Sequence, residues 1–220
     1  MNDKIKQING NGDERSKNMF VKISALDLDM LKEVANIGAG NAATALSKLT
    51  GQSIDIKVPD CEMIGYSEIA DKMGGAENII LGMLVQMSGD IEGYILLAQT
   101  LEEARNTLRL LLGQEFPDGD MELEDYEPMR EVCNILSSTY LSAISSMLQL
   151  NITPTVPDMT IDMAMAIMNV PVMVYGELGD SVLLMNTEFG GDAEGIKGEF
   201  FMIPTVQSLE VLKKALLGSL

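Results

Sequence analysis

Two residue types that are weak catalysts by themselves recur together in this chain. Glu33 and Asn36 stand three positions apart, and Glu131 and Asn134 repeat the pair 98 positions later. The repetition extends outward, because Asp29-x3-Glu33-x2-Asn36-x22-Pro59 is matched by Glu127-x3-Glu131-x2-Asn134-x22-Pro157. A lone Glu-x2-Asn is common on solvated helix faces, whereas a repeat that keeps a proline at the same distant offset marks a duplication. A carboxamide oxygen accepts a hydrogen bond from water and can orient it for attack, and a carboxylate can hold a lysine of a partner. Orientation alone can lower a barrier by on the order of several kcal/mol. Neither group is a strong catalyst unaided, so the pattern favours a site completed by another protein that brings the reactive group, its metal and its charge stabilisation, as a Gln orients water in some GTPases. Without the repeat, two solvated helix faces would be the better reading.

The elements that carry these pairs are legible from periodicity. From Leu26 to Leu49 the residues Leu31, Val34, Ala35, Gly38, Ala42, Ala45, Leu46 and Leu49 recur at helical spacing, and Val132, Leu136, Tyr140, Ala143 and Met147 do so in a second helix opened by Pro128 and running to about Leu150. With Glu33 at zero, Asn36 falls at about −60° and Gly40 at about −20°, opposite an apolar stripe centred near about 160°. Acid and amide thus share one exposed ridge, and Glu131 and Asn134 share another with Ser138 in the place of Gly40. Ile37 and Ile135 fall beside these ridges, as docking contacts or as cover for the rim of the core. Gly38 on the apolar side is explained by packing. Gly40 fits either packing or the close approach of a partner, and each glycine costs the helix roughly 1 kcal/mol relative to Ala.

A strand over Ser53–Val58 is expected to stop at Pro59. Asn78–Gln86 and Glu92–Ala98 read as a hairpin around Ser88-Gly89-Asp90, and Leu101–Leu112 as a helix ending at Gly113. The second half repeats the order: a strand near Asn151–Thr155, a hairpin of Val170–Glu177 and Ser181–Thr187 around Leu178-Gly179-Asp180, a strand over Gly198–Ile203 and a helix over Val206–Leu217. Residues 1–22 read as a mobile leader, and Gly119–Glu127 as a connecting loop. The expected architecture is α/β (α+β). Two repeats, about 26–113 and 127–218, merge within a single domain over 23–220 into one continuous, mainly antiparallel sheet with a pseudo-twofold axis, its helices over one face and the two long motif helices among them.

Composition narrows the chemistry. With 15 Lys+Arg against 33 Asp+Glu the formal charge is −18, which repels nucleic acid and anionic lipid. No nucleic-acid partner and no membrane insertion are expected, and no apolar run has the length of a bilayer span. The 220 residues contain no histidine, which rules out Ser-His-Asp and Cys-His sites. Cys61 and Cys133 form neither a metal motif nor a disulfide framework and read as buried hydrophobes of a cytoplasmic protein.

The two motifs, together with Ile37-Gly38-Ala39-Gly40-Asn41-Ala42, resemble the signature of the CheC/CheX/FliY family of chemotaxis phosphatases over nearly everything after Phe20. Two motif copies without a C-terminal switch domain are most similar to the CheC type, and the flagellar-switch role is disfavoured on that ground. Glu127 departs from the Asp or Ser with which the family pattern opens, and at the helix start it is expected to act as a cap or dipole partner. The resemblance implies hydrolysis of the phospho-aspartate of phosphorylated CheY. In that scheme Asn36 and Asn134 orient the attacking water, while Glu33 and Glu131 pair with an active-site lysine of CheY. The resemblance further implies that the protein needs no cofactor of its own, since Mg2+ is carried by CheY. The resemblance also implies binding of the receptor deamidase CheD, which raises the phosphatase activity while its own deamidation is held back. The alternative is a mainly non-catalytic CheD-binding adaptor.

Overall fold

The computed structural model describes residues 23–113, 121–175, 181–190 and 196–218. The first motif helix, α1 (Ala25–Thr50), is started by a capping box in which Ser24 and Asp27 satisfy each other's backbone N–H groups, and stopped by Gly51 in the left-handed conformation. After it come β1 (Asp55–Gly65), the single-turn helix α2 (Ile69–Lys72), the hairpin β2 (Ile79–Gly89) and β3 (Gly93–Thr100), and α3 (Leu101–Leu112). The second motif helix, α4 (Glu127–Leu148), opens the other half with Pro128 in its first turn. It is followed by β4 (Ile152–Pro154), β5 (Asp158–Met163), α5 (Ala164–Tyr175), β6 (Ser181–Gly190), β7 (Ile196–Pro204) and α6 (Val206–Gly218).

The strands form one antiparallel sheet in the order β1-β6-β7-β3-β2-β4, with β5 also paired to β2. The order is symmetric about the β7–β3 pair. Each half contributes a hairpin at the centre and lends its first strand to the other half, since β1 pairs with β6 while β4 and β5 pair with β2. The pseudo-twofold arrangement expected from the repeat is therefore present, and the exchange of strands welds the halves together. Helices α1, α3, α4 and α6 bury their apolar faces on one side of the sheet around Leu46, Val85, Leu97, Leu136, Tyr140 and Phe200.

Several expectations need correction. Helices cover both faces of the sheet, because α5 and α2 seal the other side over Ile80, Leu96, Leu184 and Phe201. Residues 170–175 of the expected strand Val170–Glu177 belong to α5, while 176–177 and the proposed turn Leu178-Gly179-Asp180 lie outside the described residues, as do the leader 1–22 and residues 119–120 of the expected connecting loop. The rest of that loop is not irregular, since Leu123–Tyr126 form a 3-10 turn and Glu127 starts α4. Alternating Val170, Val172 and Val174 imitate a strand, but β5 already occupies the edge of β2 and leaves the segment no ladder to join. It packs instead through Ala164, Ile167 and Met168, with Ile167 filling the space over Gly82, where an added Cβ would lie 2.8 Å from the Ile167 Cδ1. The true hairpin of the second half is β6–β7. β1 does not stop at Pro59 but continues to Gly65. At the helix ends, Leu49 and Met147 are exposed rather than buried.

Candidate functional site

The two motif helices pack against each other, and their contact explains Gly38. A Cβ at this position would meet the side chain of Tyr140 and come within 2.9 Å of its Cα, so only glycine lets the helices approach this closely. Tyr140 is fully buried and stands edge-on to Phe200, with ring centres 4.7 Å apart. Gly40 has no atom within 4 Å of its would-be Cβ and is exposed, so packing does not account for it and its open surface does not obstruct a partner. Ile37 is 53% exposed beside it, whereas Ile135 is half-buried against the core.

Each acid of the motif is exposed and each amide is half-buried, so both pairs occupy matching ridges. On the first ridge the amide is fully engaged as a donor. Asn36 Nδ2 donates to the carbonyls of Lys32 at 3.0 Å and Val58 at 3.1 Å, while its Oδ1 accepts from the Val58 N–H at 3.0 Å. The reason lies in the strand. Between Lys57 and Asp60 the pairing of β1 with β6 shifts register, leaving Val58 and Pro59 at a bulge. Pro59 has no N–H to offer, and the carboxamide of Asn36 supplies the partners that Val58 would otherwise lack. On this ridge the distance between Asn36 and Pro59 thus has a structural cause.

The second ridge is held differently. Among the described residues the side chain of Asn134 has no hydrogen-bond partner. The strand beside it is broken into β4 and β5 around Thr155–Pro157, and Val156 is 76% exposed where its counterpart Val58 is buried. Arg130, the residue before Glu131, spans the gap with Nη1 donating to the Pro157 carbonyl at 2.6 Å. Its Nε and Nη2 donate to the two oxygens of Glu127 at 3.1 and 3.2 Å. This fork holds the Glu127 carboxyl below its ordinary range and raises the arginine above its own. Glu127 is therefore an orienting partner of Arg130 as well as a first-turn acid. Val58 and Arg130 were not singled out by sequence reasoning. The signal was available in the repeat, since Lys32 and Arg130 are cations at matching positions.

Cys133, the neighbour of Asn134, is fully buried, and burial pushes its thiol up to about 12, as it does for Cys61. Neither is a nucleophile near neutral pH. Among the described residues no group of three or more His, Cys, Asp or Glu is arranged to hold a metal ion, and no helix is long and apolar enough to cross a membrane. The ridges therefore present a carboxylate, a carboxamide and little else.

Comparison with known proteins places this arrangement. The model of the CheC-like family matches residues 26–63 and 129–161, the two segments that run from each motif helix to its neighbouring strand. The CheY-P phosphatase CheC of Bacillus subtilis (strain 168) is 31% identical over 209 residues, covering 92% of this chain and 99% of that protein. The chain belongs to the CheC-like family. Among solved structures, Thermotoga maritima FliY superposes with a TM-score of 0.71 at 17% identity, covering 90% of this chain and 99% of that one. FliM of H. pylori, in its complex with SpeE, gives 0.64 at 14% identity over 90% and 97% of the two chains. At these identities the two likenesses establish a shared fold.

Proposed function

We propose that this protein is a hydrolase of the aspartyl phosphate on phosphorylated CheY. The observation that carries the reading is the pair of matching ridges, each with an exposed Glu one turn from a half-buried Asn, in a chain 31% identical to a CheY-P phosphatase. Docking places Glu33 or Glu131 against a lysine of the response regulator and slides Asn36 or Asn134 over the phosphoryl group. The amide oxygen accepts a hydrogen bond from a water and sets it in line with phosphorus. The water oxygen bonds to phosphorus as the bond to the aspartyl oxygen breaks, the carboxylate leaves as an anion, and the water proton passes to phosphate or solvent. The Mg2+ that offsets phosphoryl charge is supplied by CheY, so no resident cofactor is needed. A formal charge of −18 would disfavour phosphate binding by this chain alone, which supports a site completed by its partner.

Binding to CheD and a cytoplasmic location follow as parts of the same reading. Mixing the purified protein with phosphorylated CheY should accelerate phosphate release, and adding CheD should accelerate it further. Release at the spontaneous rate of CheY, with CheD still bound, would replace this reading with a non-catalytic CheD-binding adaptor. The intact acid/amide positions on both ridges favour catalysis, since an adaptor does not need them.

A further inference from the structure

We propose that Arg130 is the positioning residue of the second ridge: by tying the Pro157 carbonyl to the motif helix it does there what the Asn36 carboxamide does on the first, and so leaves Asn134 free for water. The inference rests on the phosphatase reading for its kinetic part and on the structure alone for its mechanical part. In both halves a proline interrupts pairing beside the motif helix, and in both a polar side chain from that helix takes up a backbone group of the interrupted segment. On the first ridge the catalytic amide itself does so. On the second, the residue four positions earlier has taken over, and the amide is released.

The arginine is held from three sides. Each guanidinium nitrogen donates one hydrogen bond, Nη1 to Pro157 and Nε and Nη2 to Glu127, which fixes the place and plane of the group. The ion pair with Glu127 is also too exposed, at 37% and 55%, to matter much for stability. What the fork achieves is direction: Glu127 fixes the plane of the guanidinium so that Nη1 faces Pro157. The departure of the second motif at its first residue thus becomes part of the device, because an acid at the helix start is what aims Arg130.

The test uses the full chain and compares Arg130→Met in two backgrounds. With Asn36→Ala, where turnover flows through the second ridge, Arg130→Met should lower kcat on phosphorylated CheY by about tenfold with little change in KM, and Arg130→Lys should restore part of it. With Asn134→Ala, where only the first ridge works, Arg130→Met should change nothing. Equal losses in both backgrounds would mean a general structural role and would overturn the proposal, as would no loss in either. Amide hydrogen exchange across residues 155–160 should accelerate in Arg130→Met, and to a smaller degree in Glu127→Gln; unchanged exchange in both would overturn the tie. Should the unmodified protein fail to hydrolyse phosphorylated CheY, the functional reading falls and the exchange measurement still decides the mechanical part.

Discussion

On the first ridge the carboxamide of Asn36 is occupied by the protein's own backbone, while on the second an arginine does that work and the carboxamide of Asn134 stays open. The two share a motif, a helix position and a place in a pseudo-symmetric sheet, and the difference at the amide itself is how many hydrogen bonds it must surrender before it can address a partner. Asn36 keeps a second lone pair on Oδ1, but its three bonds fix where that lone pair points, so turning the amide towards a phosphoryl group must break them. Freeing the group entirely would break three bonds, each worth about 0.5–1.5 kcal/mol net. Duplicated sites with the same residues are therefore not duplicated in energy.

The largest effect should come from removing both amides. Asn36→Ala combined with Asn134→Ala should reduce phosphate release from phosphorylated CheY to its spontaneous rate, and any remaining acceleration would show that the carboxylates suffice.

A second contrast lies in stability and points the other way. Asn36→Ala strips the Val58 N–H and C=O of their partner at a buried bulge, which should cost about 2–4 kcal/mol and lower Tm by about 5–15 °C. Asn134→Ala removes no hydrogen bond and should leave Tm nearly unchanged. Thermal unfolding of the two variants measures this directly, and equal melting points would show that the Asn36 contacts carry no weight.

Smaller again is the effect of the acids. Glu33→Gln with Glu131→Gln should weaken binding to CheY bearing a stable phosphoryl mimic and flatten its salt dependence, because an interfacial ion pair is gone. Binding titrations at two salt concentrations provide the check, and an unchanged salt response would remove the lysine-pairing role.

The smallest effect expected is on the thiols. Cys61 and Cys133 are raised to about 12 by burial, on opposite halves but alike. Each therefore favours the folded state below the ordinary thiol range near 9, an advantage lost as pH climbs from there towards 12. Native protein at pH 8 should resist a thiol-directed reagent at both positions, and rapid labelling of Cys133 would mean that α4 opens beside Asn134.

Much of this organisation was legible in the sequence. The motif helices were found because each carries a continuous apolar stripe against an exposed acid, and the hairpin of β2 and β3 because a turn separates two apolar runs. The placement of Glu33, Asn36, Glu131 and Asn134 on matching ridges followed from the same periodicity. What escaped was set by tertiary context. α5 has no periodicity to read, since nearly every residue from Ala164 to Tyr175 is apolar, and only the occupied edge of β2 decides that it is a helix. Pro59 reads as a strand end because nothing in the sequence around it shows that a side chain from α1 replaces the missing ladder bonds. The asymmetry between ridges was hidden for the same reason, as Lys32 and Arg130 differ in type but not in position.

The most direct measurement of that asymmetry is single-turnover hydrolysis of phosphorylated CheY by Asn36→Ala and by Asn134→Ala, with the protein in excess. If the bonds that hold Asn36 tax the first ridge by about 2–3 kcal/mol, Asn36→Ala should keep most of the rate and Asn134→Ala should lose roughly tenfold or more. Equal halving by each substitution, or a greater loss from Asn36→Ala after allowance for its unfolded fraction, would contradict the account.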